Sequence, residues 1–149
     1  MHTSDMVQPY RIVVDTNVLI AGLRSKQGAS YKFLTLLNDR RWQLNISIAL
    51  IFEYEEVLTR NMESLGLNQQ KIDILLDGLC TIANHREIFY LWRPLASEPG
   101  DDFLLELEIE SQADFIITYN RKDLEQATQF GIQIITPKAF LELVGELPS

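Results

Sequence analysis

One cysteine in 149 residues, Cys80, excludes an intrachain disulfide framework. It sits among Ile74, Leu75, Leu79 and Ile82, a setting that reads as an inert buried thiol. The two histidines, His2 and His85, have no cysteine partners at ligand spacing, which excludes a His/Cys zinc site. No G-x-S-x-G elbow is present, so a Ser-His-Asp hydrolase has no support. No apolar run approaches the roughly 20 residues of a membrane span, and the opening MHTSDMVQPY carries no apolar signal region. The expectation is a soluble, cytoplasmic protein with no membrane partner. Positive charge is scarce too, with 13 Lys and Arg against 21 Asp and Glu, a net charge of −8. That balance argues against broad duplex-DNA binding through a basic surface. It leaves nucleic-acid chemistry open, because carboxylates that hold a divalent cation reverse the local field.

What is present alternates. The length fits one domain, with residues 1–9 as a loose tail and 10–146 as the folded unit. Tyr10–Val14 reads as a strand buried on both faces, since its apolar residues do not alternate with polar ones. A short helix over Asn17–Leu23 and a basic loop, Arg24 to Gly28, precede a helix over Ala29–Asp39. Trp42–Ile46 is a second strand, and Ser47 caps a helix through Thr59. A helix over Asn68–Ala83 leads to a third strand, Glu87–Trp92, stopped by Pro94. Residues 105–110, LELEIE, alternate like a strand, but Leu and Glu favour helix and P-G-D-D before them is a helix start. The reading is therefore a helix over 101–112, then strands at Phe115–Thr118 and Ile132–Ile135 and a helix over Pro137–Val144. Strands alternating with helices predict an α/β fold with a mostly parallel sheet covered on both faces.

In such a sheet, ligands bind at the carboxyl ends of the strands. Asp15 interrupts an apolar run where the first strand ends, so it would face a crevice, with Thr16 and Asn17 capping the following helix. The plainer alternative is that Asp15 is itself the helix cap. Asp101 and Asp102 open the helix after the third strand and fall on the same edge. On the helix after the second strand, Leu50, Ile51, Tyr54, Val57 and Leu58 form the apolar stripe. Glu56 points away from it, placed to pair with Arg60, while Glu53 and Glu55 both flank it and periodicity cannot choose between them. Asp114 stands at the wrong end of its strand and suits a cap or turn. Thr118, Tyr119 and Asn120 stand at the right end, with Asp123 just beyond. Carboxylates gathered this way repel one another, and hard oxygen-seeking cations, Mg2+ or Mn2+, relieve the repulsion.

Four stretches together resemble the PIN-domain family: IVVDTNVLI at 12–20, ISIALIFEYEEVLTR at 46–60, PGDDFLLELEIESQADFIITYN at 99–120 and RKDL at 121–124. They occur in the family's order and cover nearly the whole chain. The resemblance is nearest to bacterial PIN proteins described as toxins of toxin–antitoxin pairs. It implies a three-layer α/β/α sandwich on a central, mostly parallel five-stranded sheet, and an Mg2+- or Mn2+-dependent endoribonuclease. It carries the family's acids onto Asp15, Glu53 and Asp101, which makes the choice between Glu53 and Glu55. The fourth family acid falls on Asn120, an amide that can coordinate but brings no charge. Glu108 is a second departure, at a position where the family tends to have a small residue; pairing with a basic residue is the simpler use for it.

The implied chemistry is hydrolysis of RNA phosphodiester bonds, with Asp15, Asp101 and Glu53 around the metal and Asn120 orienting substrate. Asp102, Thr118 and Asp123 are secondary candidates. Arg24, Lys26, Arg121 and Lys122 are placed to touch phosphates flanking the cut. The implied partners are an RNA substrate and an antitoxin protein, and Phe52, off its helix's stripe, could serve a homodimer or partner surface. Two other readings compete. One is a PIN-like module that binds RNA or protein without turnover, which the Asn120 departure favours. The other is an aspartate-nucleophile phosphatase, weakened because its motif wants an Asp where Asn17 stands.

Overall fold

In the computed structural model, residues 8–85, 102–121, 128 and 130–148 are described. The run that first reads as a core strand is the centre of the sheet. Tyr10–Val14 forms β1, and its Ile12, Val13 and Val14 are buried. β1 pairs in parallel with β2, Trp42–Ile46, on one side and with β4, Phe115–Ile117, on the other. β2 pairs with the two-residue β3, Asn84–His85, and β4 with β5, Gln133–Ile135, both in parallel. The order is β3-β2-β1-β4-β5, so four strands of three to five residues carry the sheet and β3 adds a short edge.

Helices flank this sheet. α1, Thr16–Arg24, and α2, Ala29–Thr35, connect β1 to β2. α3, Ile48–Arg60, and α4, Gln69–Ile82, connect β2 to β3. α5, Asp102–Glu110, precedes β4, and α6, Pro137–Leu143, follows β5. The connections from β1 run toward β3 and the connection from β4 runs toward β5.

Side-chain caps start three of the helices where the sequence predicts. Ser47, Asn68 and Thr136 each accept from the backbone N–H three residues on. α2 stops at Thr35, short of the predicted Asp39, because Leu36, Leu37 and Asp39 donate to carbonyls three residues back and tighten the last turn. α5 resolves the ambiguous LELEIE stretch as helix. Leu104, Leu107, Glu108 and Ser111 are all buried, a one-face spacing of three and four that a strand would not give. The predicted third strand at Glu87–Trp92 and most of the predicted tail lie outside the described residues; β3 begins earlier, at Asn84. Among the described residues no helix is long and apolar enough to cross a membrane.

The two ends of the sheet differ in chemistry. At the amino end, Tyr10, Trp42 and Phe115 open their strands, and all three rings meet Phe140 of α6 edge-on at centroid distances of 6.4, 5.2 and 5.5 Å. Phe33 of α2 joins them at 5.7 Å. This cluster closes the amino end with apolar contact and leaves the carboxyl end to polar residues.

One bond fixes α3 against that polar end. The fully buried Tyr54 hydroxyl donates to the Val14 carbonyl, the last residue of β1. Tyr54→Phe keeps the ring and strands the carbonyl, so it is expected to lower unfolding stability by about 1–2 kcal/mol in urea titrations. An unchanged midpoint would mean the bond does not hold α3 in place.

Candidate active site at the β1–β4 edge

The strand order reverses at β1 and β4, and in parallel sheets that reversal opens a crevice at the carboxyl edge. The register brings Val14 beside Ile117, and the Asp15 N–H extends the ladder by donating to the Ile117 carbonyl at 3.0 Å. Asp15 and Thr118 are therefore the first residues beyond the sheet on adjacent strands. The Thr118 hydroxyl donates to Asp15 Oδ2 at 2.7 Å. The Asn17 amide nitrogen donates to the same oxygen at 3.3 Å.

Asp15 occupies the N-cap position of α1, but its side chain closes no capping hydrogen bond. Its carboxylate lies near the Thr16 and Asn17 N–H groups, which favour its charged form, as does Thr118. Burial outweighs them and pushes its pKa above the ordinary aspartate value. The simple-cap alternative therefore fails. The expectation that Thr16 and Asn17 cap the helix is corrected as well. The Thr16 hydroxyl donates across to Glu53 Oε2 at 2.5 Å, the short distance typical of a hydroxyl on a carboxylate. Asn17 bridges, because its Oδ1 accepts from the Tyr119 N–H at 3.2 Å while its nitrogen serves Asp15. Capping needs one such residue; three consecutive hydrogen-bonding residues at a strand end were the signal that more than a cap stood there.

Glu53 comes to this edge from the middle of α3, half-buried. Burial raises its pKa most, Thr16 offsets part of that, and the Asp15 charge raises it further. Asp15 and Glu53 thus sit within electrostatic reach of each other. The same two charges act on Tyr54, whose buried phenol is pushed well above its usual pKa, first by desolvation. Glu55 is exposed. Glu56 pairs with Arg60 at 3.8 Å across one exposed helical turn, as its spacing predicts.

The other acids separate cleanly. Asp114 lies at the amino end of β4, where its Oδ2 accepts from the Arg11 N–H at 2.8 Å, a turn role. Glu108 is fully buried on α5, on the face that helical spacing gives to Leu104 and Leu107 but where a glutamate is not expected. Asp102 is the first residue of α5. Asp101, Lys122 and Asp123 lie outside the described residues. Among the described residues no three acidic, histidine or cysteine side chains gather as a metal cluster. Thr118 is more central than a secondary candidate, since its Oγ1 also accepts from the Asn120 N–H at 2.9 Å. Arg24 ends α1 instead of opening the loop as expected, Lys26 lies in the loop after it, and both are exposed. Arg121 donates to the Ile134 carbonyl at 3.3 Å. Cys80 on α4 is only partly buried, not buried as its apolar neighbours suggest; its pKa is raised first by burial and then by Asp77.

A raised carboxylate pKa has a definite sign for stability. The folded protein holds these protons more readily than the unfolded chain does, so the charged pair costs stability above the folded pKa values. That cost disappears as pH falls below the unfolded ones. In chelator, Asp15→Asn is expected to melt above the wild type at neutral pH, the gap closing on acidification. A gap that is absent, or that widens in acid, would contradict the burial of Asp15's charge.

Comparison with known proteins comes to one family. No curated protein matches the chain. The PIN domain family model matches residues 11–122, well over half of the chain and the whole span from β1 to the residues after β4. The chain belongs to the PIN domain family, whose fold is generally that of a metal-dependent nuclease.

Proposed function

We propose that this protein is an endoribonuclease that hydrolyses RNA phosphodiester bonds at the β1–β4 edge with Mg2+ or Mn2+ bound. The observation that supports it most is the meeting of Asp15 and Glu53 where the strand order reverses. The donor set suits such an ion. It is built of carboxylate oxygens, with no nitrogen or sulfur ligand in the arrangement, and its acids are short of charge compensation. Asp15 and Glu53 would hold the ion, joined by Asp101, which precedes Asp102 in the sequence. When bound, it supplies positive charge to the scissile phosphate and lowers the pKa of water.

The chain's own groups do the rest. Glu53, at the edge beside Asp15, accepts the proton of the attacking water. Thr16 fixes which Glu53 oxygen faces α1. Thr118 and Asn17 hold the Asp15 carboxylate in one orientation. Asn120, tied to Thr118 through its backbone, orients the phosphate without adding negative charge. Arg24, Lys26, Arg121 and Lys122 touch the phosphates on either side. The reading extends to a cytoplasmic toxin restrained by an antitoxin protein, with a homodimer as its assembly. A PIN fold that binds RNA without turnover remains the second reading, favoured by the amide at Asn120.

Purified protein is mixed with an RNA pool in Mn2+ or in chelator. Cleavage is expected in Mn2+ alone, falling at least about 100-fold in Asp15→Asn and in Glu53→Gln. Well-folded wild type that cuts no RNA under any divalent cation would sink the nuclease reading, and binding without cutting would favour the second.

A further inference from the structure

We propose that Tyr119 is a stacking platform for one unpaired base beside the cut; this rests on the nuclease reading above. Tyr119 lies between Thr118, which holds Asp15, and Asn120. Both of its polar ends are tied. Its backbone N–H donates to Asn17 Oδ1, and its hydroxyl lies 2.5 Å from the Ser30 hydroxyl on α2. Yet the residue remains 50% exposed, room enough for one face of its ring to receive a base. A ring held at two points loses little freedom when a base settles on it.

Position separates Tyr119 from the other exposed aromatics among the described residues, Tyr10, Phe52 and Phe130, the last of which precedes the amino end of β5. Tyr10 stands at the opposite end of the sheet, edge-on to Phe115. Phe52, 63% exposed, turns outward from α3. Tyr119 instead reaches from the acid edge to Ser30, which closely follows the loop bearing Arg24 and Lys26. A strand leaving the carboxylates would cross the ring and then meet those cations. The charge balance explains the need for it. A chain of net charge −8 gains little from general attraction to phosphate, whereas every base offers a face to an aromatic ring. A base paired within a duplex is stacked on its neighbours and has no face to give.

Short labelled RNA strands, one intact and a series with a single abasic position moved along it, are titrated by fluorescence anisotropy in Ca2+. Cleavage of the same strands is followed in Mn2+. Wild type is expected to lose about tenfold in affinity at one abasic position, the scale of a single base–aromatic contact. Tyr119→Ala loses a similar factor on the intact strand and nothing more on that abasic strand, while Tyr119→Phe stays close to wild type. Should Tyr119→Ala fail to fold, Tyr119→Leu, bulky but without a π face, serves the same comparison. Wild type that is indifferent to every abasic position, losses that multiply in Tyr119→Ala, or no binding to any strand would overturn the platform. The expected binding pattern without metal-dependent cleavage would uphold it and remove the nuclease reading alone.

Discussion

The hydrogen bond from the Asp15 N–H to the Ile117 carbonyl is the contact on which the candidate site depends. It is the last rung of the ladder between the two strands at which the sheet changes direction. Because β1 and β4 are parallel and stop together, Asp15 and Thr118 leave the sheet side by side. A register slip of one residue would turn Asp15 toward the opposite face. The aromatic cluster at the other end works against such a slip, since Tyr10, Trp42 and Phe115 must all reach Phe140 at once. The apolar end thus sets the alignment that the polar end uses.

Around that rung, small side chains hold large charges. Thr118 and Asn17 share one Asp15 oxygen, Thr16 takes one Glu53 oxygen, and the Tyr54 hydroxyl pins the helix that carries Glu53 to the end of β1. None of these partners is a cation. They orient the carboxylates without neutralising them, and burial raises both pKa values despite the bonds. An ion pair with a lysine would have stabilised the resting fold and removed the vacancy for a metal's charge. The arrangement favours order over stability, as sites that must act on a ligand's charge tend to do.

Much of this was legible in the sequence. The unbroken apolar run marked the first strand, the break at Asp15 marked its carboxyl edge, and Ser47 announced its helix, while the caps at Asn68 and Thr136 emerge from the structure. What stayed hidden had physical reasons. Glu53 and Glu55 flank the same stripe symmetrically, so only tertiary contact, or family likeness, separates them. Thr16 and Asn17 look like caps because the same hydroxyl and amide chemistry serves both purposes. LELEIE alternates in type, yet its burial follows the helix, since Glu108 goes inward with Leu104 and Leu107, where a glutamate is not expected. Tyr119 could be placed at the right edge from the sequence, but not its contact with Ser30, a partner far off in sequence.

The proposed chemistry requires Asp15 and Glu53 to act as one cation-binding unit. A Mn2+ titration followed by electron paramagnetic resonance reads this out, because free Mn2+ gives the signal that binding removes. Saturable loss of signal is expected with the wild type, and markedly weaker binding when either Asp15 or Glu53 alone becomes its amide. Wild type that leaves the signal untouched, or amide variants that bind Mn2+ as tightly as the wild type, would contradict it.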